Sequence, residues 1–256
     1  MLGETLDTPV SPVVTTPTPP SHWGLTLLQV IAVSGFPTQL LVAGVLIVGL
    51  GMAPYSSDGL SLEFVATVSF IDTALVALLI FTFLKVSGEK SHDVFFGTRP
   101  ILPEIVRGLL FVPVVFIALT ALVAGLRWIA PWLHTVPENP LAAFMQNPFD
   151  AAIFFVVVVL AGGVREELQR GFILHRAAQG LGGAWLGNLV FGLIFGILHI
   201  DQGYDVAFAI GLMGMGWGAV YIWRRSVAAS MANHAGFNGA MVLQQVLATS
   251  LGVPPR

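Results

Sequence analysis

The sequence predicts an all-α fold, a polytopic bundle of transmembrane helices. Three observations predict it. Only 10% of the 256 residues are charged, against about 25% in a soluble domain. Hydrophobic residues reach 55% and mean hydropathy is +0.84, so polar groups cannot cover such a chain in water. Several apolar runs approach about 20 residues, enough to cross a hydrocarbon core of roughly 30 Å. A transmembrane β-barrel would show alternating segments of about 10 residues instead.

The elements follow in order. Residues 1–22 read as a disordered tail, since 8–20 hold five prolines and four threonines in a polar setting. They lack the basic start and apolar centre of a secretory signal. The transmembrane domain then covers 23–250. Its first span is 38–52, preceded by 23–34, an apolar stretch cut off by Gly35-Phe36-Pro37. That stretch is either an interfacial helix or half of a broken span. Further spans fall at 62–84, 105–129, 151–179, 185–200, 206–223 and 227–247. The total is seven, or eight if 23–34 also crosses. No internal repeat is visible, although transporters often carry one.

Charge placement supports the map. Lys85, Lys90, Arg99, Arg107, Arg176, Arg224 and Arg225 fall at connections on one side, and by the positive-inside rule that side is cytoplasmic. The other side holds Arg127, Arg256 and the acids Asp58, Glu63, Glu138, Asp201 and Asp205. A net charge of −3 with 11 scattered basic residues excludes a nucleic-acid surface. The absence of cysteine excludes disulfides, thiolate metal sites and catalytic thiols. Gly192 and Gly196, and Gly214 and Gly218, stand four apart inside spans, which reads as close helix packing.

Ionisable groups at membrane depth are costly and mark function by default. Four places qualify. Arg165-Glu166-Glu167-Leu168-Gln169-Arg170 directly follows an apolar run. His199 closes Phe195-Gly196-Ile197-Leu198-His199, and Asn233, His234 and Asn238 lie in the last span. His234 and Asn238 are four apart and share a helix face. Asp72 sits mid-span, where it could pair with one of the arginines or be a satisfied structural carboxyl, and it reads as structural. Taken together, these side chains suit peptide hydrolysis. Carboxylate and imidazole can take a proton from water, and imidazole and amide can donate to an oxyanion. The same groups could also ligate a divalent metal. Neither His-Glu-x-x-His, Gly-x-Ser-Gly nor Gly-x-Gly-Asp occurs, which removes the other intramembrane protease designs.

These residues resemble the CAAX prenyl protease and bacteriocin-processing (CPBP, or ABI) family of intramembrane proteases. That family carries Glu-Glu-x-x-x-Arg, Phe-x-x-x-His, and His-x-x-x-Asn or Asp, in this order. Phe195 to His199 and His234 to Asn238 match the second and third motifs. The first is one residue short, because only Leu168 and Gln169 separate Glu167 from Arg170. An unbroken alignment on Arg170 puts Arg165 where the family has its first glutamate. It pairs Glu166 with Arg170 at i,i+4 and leaves Glu167 as the base. A gapped alignment matches Glu166 and Glu167 to the glutamate pair.

The resemblance covers about 151–247, which would be the catalytic core. It implies an endopeptidase in which a glutamate (Glu166 or Glu167) and His199 activate water. His234 and Asn238 would stabilise the oxyanion, and Arg170 would hold a glutamate. Members have been described as metalloproteases, so a zinc ion, if bound, would sit on Glu166, His199 and His234. These residues are expected to line one polar cavity. The implied partner is a membrane-embedded or membrane-proximal peptide or protein, in the lipid bilayer. An Ala- and Gly-rich, cysteine-free chain points to a bacterial cytoplasmic membrane. Two other readings stand beside this one. The first is a non-catalytic immunity or scaffold protein of the same fold, favoured by Arg165 at the base position. The second is a proton-coupled carrier using Asp72 and the histidines.

Overall fold

The computed structural model describes residues 22–57 and 59–252, so nearly all of the expected tail, Asp58 and Arg256 lie outside the described residues. Helix dominates. α1 (Trp23–Ala32) and α2 (Phe36–Gly44) are followed by a short hairpin of β1 (Tyr55–Ser56) and β2 (Gly59–Leu60). Then come α3 (Leu62–Val86), α4 (Ser91–Phe95), α5 (Ile101–Leu110), α6 (Val112–Ile129) and α7 (Pro148–Val157). The last four are α8 (Glu166–Gly180), α9 (Ala184–Ile197), α10 (Tyr204–Arg224) and α11 (Ala228–Ser250).

A helix occupies each place where a span was expected. By length and composition, four helical segments can cross a membrane among the described residues: Leu62–Val86, Ile101–Ile129, Pro148–Gly180 and Tyr204–Arg224. A fifth is the pair Trp23–Val33 and Phe36–Gly49, if that pair, bent by 47°, counts as one span. The expected seven or eight therefore become four or five on this criterion. α9 has 14 residues, or about 21 Å at 1.5 Å per residue, short of a core of roughly 30 Å. α11 is long enough at 23 residues, but Asn233, His234, Asn238, Gln244 and Gln245 lower its hydropathy. The two helices that miss the criterion, α9 by length and α11 by hydropathy, are those carrying the histidine motifs.

Apolar packing holds the bundle in layers. Val76, Ile80 and Leu84 of α3 pack with Phe95 of α4 and with Phe172 and Leu174 of α8. Phe195, Trp217 and Phe237 of α9, α10 and α11 form a second cluster. The glycine pairs do what their spacing suggests. A Cβ on Gly196 would lie 2.8 Å from the Ala207 carbonyl oxygen, and one on Gly214 2.7 Å from the Phe195 ring. α9 and α10 thus meet at backbone distance, and Phe195 slots into the notch at Gly214.

The charged residues of the basic side are tied together. Arg99 Nε donates to the Arg224 carbonyl at 2.8 Å, Arg224 pairs with Glu104, and Arg107 pairs with Glu104 at 2.6 Å. Glu89 accepts from Arg176 at 2.5 Å and Gln179 at 2.7 Å and bonds His175 at 2.6 Å. Burial pushes the Glu89 carboxyl up, but the bonds with His175, Arg176 and Gln179 outweigh it and bring it down to about 2. On the opposite side Arg127 and His134 both bond Asp205, at 2.8 and 3.1 Å.

Candidate active site

The site is built around an irregular turn. Between α7 and α8 the backbone is π-helical over Val158–Arg165, and the rod from Pro148 to Gly180 is otherwise continuous. Such turns gather at functional positions. Within it, a Cβ on Gly162 would come 2.6 Å from Asn238 Nδ2, and one on Gly163 2.5 Å from Ala235. The two glycines let α11 press against the π turn. That contact brings in His234 and Asn238, and Asn238 Nδ2 donates to the Val158 carbonyl at 3.1 Å.

Glu167 lies at the centre, with its side chain 1% exposed. It forms an ion pair with Arg170 and a 3.0 Å bond with His234 Nδ1. The expected pairing of Arg170 with Glu166 is therefore corrected: the partner is Glu167, at i,i+3. The reason is where Arg170 points. Its guanidinium is fully buried and lies over Phe195 at 4.9 Å, Phe191 at 5.4 Å and Trp217 at 5.6 Å. That aromatic cage is inside the bundle, on the face that Glu167 shares. One residue is about 100° on a helix, so Glu166 faces elsewhere.

Glu166 keeps 17% side-chain exposure. Its Oε1 accepts from Arg165 Nη2 at 3.3 Å, and its Oε2 lies 3.9 Å from His234 Nε2. Two adjacent glutamates thus meet opposite edges of one imidazole. His199 follows the end of α9, and its Nδ1 bonds the Phe195 carbonyl at 2.7 Å. A carbonyl only accepts, so Nδ1 carries the hydrogen and Nε2 of the neutral ring is a proton acceptor. The Phe195 ring touches both histidines, with centroids 4.8 Å from His199 and 6.2 Å from His234. The three motifs therefore meet around one aromatic ring.

Residues 148–240 match the family of type II CAAX prenyl endopeptidases, Rce1-like. Over this segment the chain is similar to the CAAX prenyl protease family. Neither the curated proteins nor the solved structures give a significant match. Every residue singled out for catalysis, from Glu166 to Asn238, falls inside the matched segment.

Sequence reasoning missed two parts of this site. Trp217 stacks on His234 at 3.6 Å and donates Nε1 to Asn233 Oδ1 at 2.8 Å. One more aromatic in an apolar span carried no signal. Asn233 also donates to the Gly108 carbonyl at 3.0 Å, so it braces helices. Asp72 binds Arg165 at 2.7 Å, a contact between distant spans that no local pattern announces. A cavity of about 650 Å³ lies beside the site, with Trp217 and Asn233 in its wall. The rest of its wall is mostly apolar, from α5, α6, α10 and α11, and the five catalytic candidates are not among its lining residues.

Among the described residues no three His, Asp or Glu side chains are disposed to hold a metal ion. Nδ1 of His199 and Nδ1 of His234 are both engaged by protein oxygens. That leaves both Nε2 atoms open, as in a metal-ligating histidine, but Glu166, His199 and His234 are not gathered closely enough to form a three-residue metal group.

Proposed function

We propose that this chain is an intramembrane endopeptidase of the CAAX protease kind in which Glu166 is the water-activating base. The observation that carries the reading is the division of labour between the two glutamates. Glu167 is buried and engaged by Arg170 and His234, while Glu166 retains an exposed edge facing His234 Nε2.

The chemistry follows from that edge. Glu166 and His199 Nε2 are the acceptors that draw a proton from water. The resulting hydroxide adds to the carbonyl carbon of a peptide bond. Asn238 has two amide hydrogens and gives one to Val158, so the other can meet the oxyanion. With Glu167 ionised, His234 donates from Nδ1 and its Nε2 can collect the proton from Glu166, becoming a donor to the same oxyanion. The proton then passes to the leaving amine as the C–N bond breaks. Glu167 and Trp217 fix the ring in which this happens.

The substrate is a polypeptide embedded in or lying at the membrane, and the setting is a bacterial cytoplasmic membrane. The family description makes a prenylated CAAX-type peptide the first probe, beside an unmodified membrane-spanning reporter. The scaffold reading rested on Arg165 standing at the base position. Here Arg165 points to Asp72, and Glu166 holds the exposed edge, which supports the enzyme reading instead.

The test is cleavage of both probes by the full chain in lipid nanodiscs. Glu166→Gln and His199→Ala should each lower the rate by about 10² to 10⁴, the usual worth of general-base catalysis, with melting unchanged. Cleavage by Glu166→Gln at the wild-type rate would remove Glu166 from the base role.

A further inference from the structure

Arg165 and Asp72 are 93 positions apart, and neither belongs to the three motifs. The fold joins them, and the junction is built with care on every side. Arg165 is 8% exposed and Asp72 1%. One arm of the guanidinium, Nη1, donates to Asp72 Oδ2 at 2.7 Å. The other arm, Nη2, donates to Glu166 Oε1 at 3.3 Å, and Nε lies 3.4 Å from the Ala161 carbonyl.

Asp72 is held in turn by the hydroxyl of Thr38, and Gln39 Nε2 approaches it at 3.4 Å. Thr38 and Gln39 open α2, just past the bend at Gly35. Gly35 is in the left-handed region at φ +83°, and a Cβ there would lie 2.9 Å from Arg165 Nη1. The bend between α1 and α2 thus wraps the guanidinium, and only glycine permits it. Four elements converge on one side chain, and that side chain touches one oxygen of Glu166 while leaving the other toward His234.

We infer that the Asp72–Arg165 pair is a positioning device for Glu166, with Arg165 as its fork and Asp72 as its anchor. The inference rests on the reading of Glu166 as the base. A planar guanidinium can hold two carboxylates at fixed angles, which an ammonium cannot. Asp72 keeps one arm occupied. Without it the fork could turn to grip both oxygens of Glu166 and take the edge that faces His234. Arg165, which in the unbroken alignment occupies the first-glutamate position, serves that glutamate's neighbour.

The experiment uses the full chain in nanodiscs and three variants: Arg165→Lys, Asp72→Asn, and the double Asp72→Asn with Arg165→Gln. In each, kcat should fall about 10- to 100-fold, the cost of misplacing a catalytic group, with KM unchanged. The double variant should regain the melting temperature that Asp72→Asn loses, since no buried charge is left unpaired, yet kcat should stay low. A merely structural pair predicts that kcat recovers together with melting, and that result overturns the inference, as does wild-type kcat in Arg165→Lys. A second measurement needs no turnover. Dicyclohexylcarbodiimide modification of Glu166, read by mass spectrometry, should run several-fold faster in Arg165→Lys and in the double variant than in wild type. An unchanged rate overturns the positioning role. A faster rate in a protein that cleaves neither probe counts against the protease reading alone.

Discussion

The two ends of α8 hold two clusters of acids and bases that were made differently. At the C-terminal end, Glu89 is engaged by His175, Arg176 and Gln179, and both carboxylate oxygens are used. At the N-terminal end, Glu167 Oε2 is buried without a hydrogen bond, and Glu166 is left partly exposed. Buried polar groups are normally satisfied, and the exceptions ask for a reason. A finished cluster staples the connection after α3 to α8. On the proposed function, an unfinished one keeps capacity for a water and a peptide. The contrast separates a stabilising use of charge from a chemical one on a single helix.

The strongest way to break that contrast is to disarm Glu167. Glu167→Gln should lose both cleavage and stability, because Arg170 would be left as an uncompensated buried charge. Breaking one partner of such a pair costs about 3–5 kcal/mol, read as a large drop in melting temperature in detergent. Replacing both residues with leucine should recover most of the stability and none of the activity. If Glu167→Gln melts like wild type, Glu167 belongs with the loosely held groups.

Trp217→Phe sharpens the same contrast at smaller scale. The ring still stacks on His234, but Asn233 Oδ1 loses its donor. An orphaned buried acceptor costs about 1–3 kcal/mol, so melting should fall while cleavage falls only modestly. A loss of activity as deep as that of Glu166→Gln would show that the indole N–H, and not the ring face, matters to His234.

Glu89→Gln should leave cleavage alone. Its carboxyl titrates at about 2 when folded, against 4.5 ordinarily. A lowered folded value gives stability that is full above about 4.5 and fades as pH falls toward about 2. The wild-type melting temperature should therefore drop across that window, and the variant should be flatter there. The effect is modest, since the group is partly solvated. Smallest of all, 1,10-phenanthroline should leave the cleavage rate unchanged; inactivation that zinc reverses would return Glu166, His199 and His234 to a metal role.

How much of this was legible depended on the kind of signal. The span at 62–84 is a hydropathy statement, and α3 follows it to within two residues at its C-terminal end. Phe195, His199, His234 and Asn238 were legible as motifs, because each repeats at one helical turn. The partner of Arg170 was not. Spacings of three and four both fit a helix, and the choice was made by an aromatic cage assembled from α9 and α10. Asp72 and Arg165 could not be matched from sequence either, because nothing local marks a contact between distant spans. Fewer helices meet the length and hydropathy criterion than the seven or eight spans expected, because polar motif residues lower the hydropathy of α11 and α9 stops early.

The π turn before Glu166 has a last consequence, which concerns bookkeeping along the chain. A π turn holds one residue more than an α turn, and the glutamate–arginine motif that follows holds one fewer than its family pattern. The surplus and the deficit sit on either side of the same two glutamates. A π turn takes up its extra residue with little change in facing, so the two glutamates keep the orientation that a regular helix one residue shorter would give them, and the deficit falls wholly between Glu167 and Arg170. An insertion there should turn Arg170 by about 100° out of its aromatic cage, and removing one residue from 158–165 as well should not bring it back.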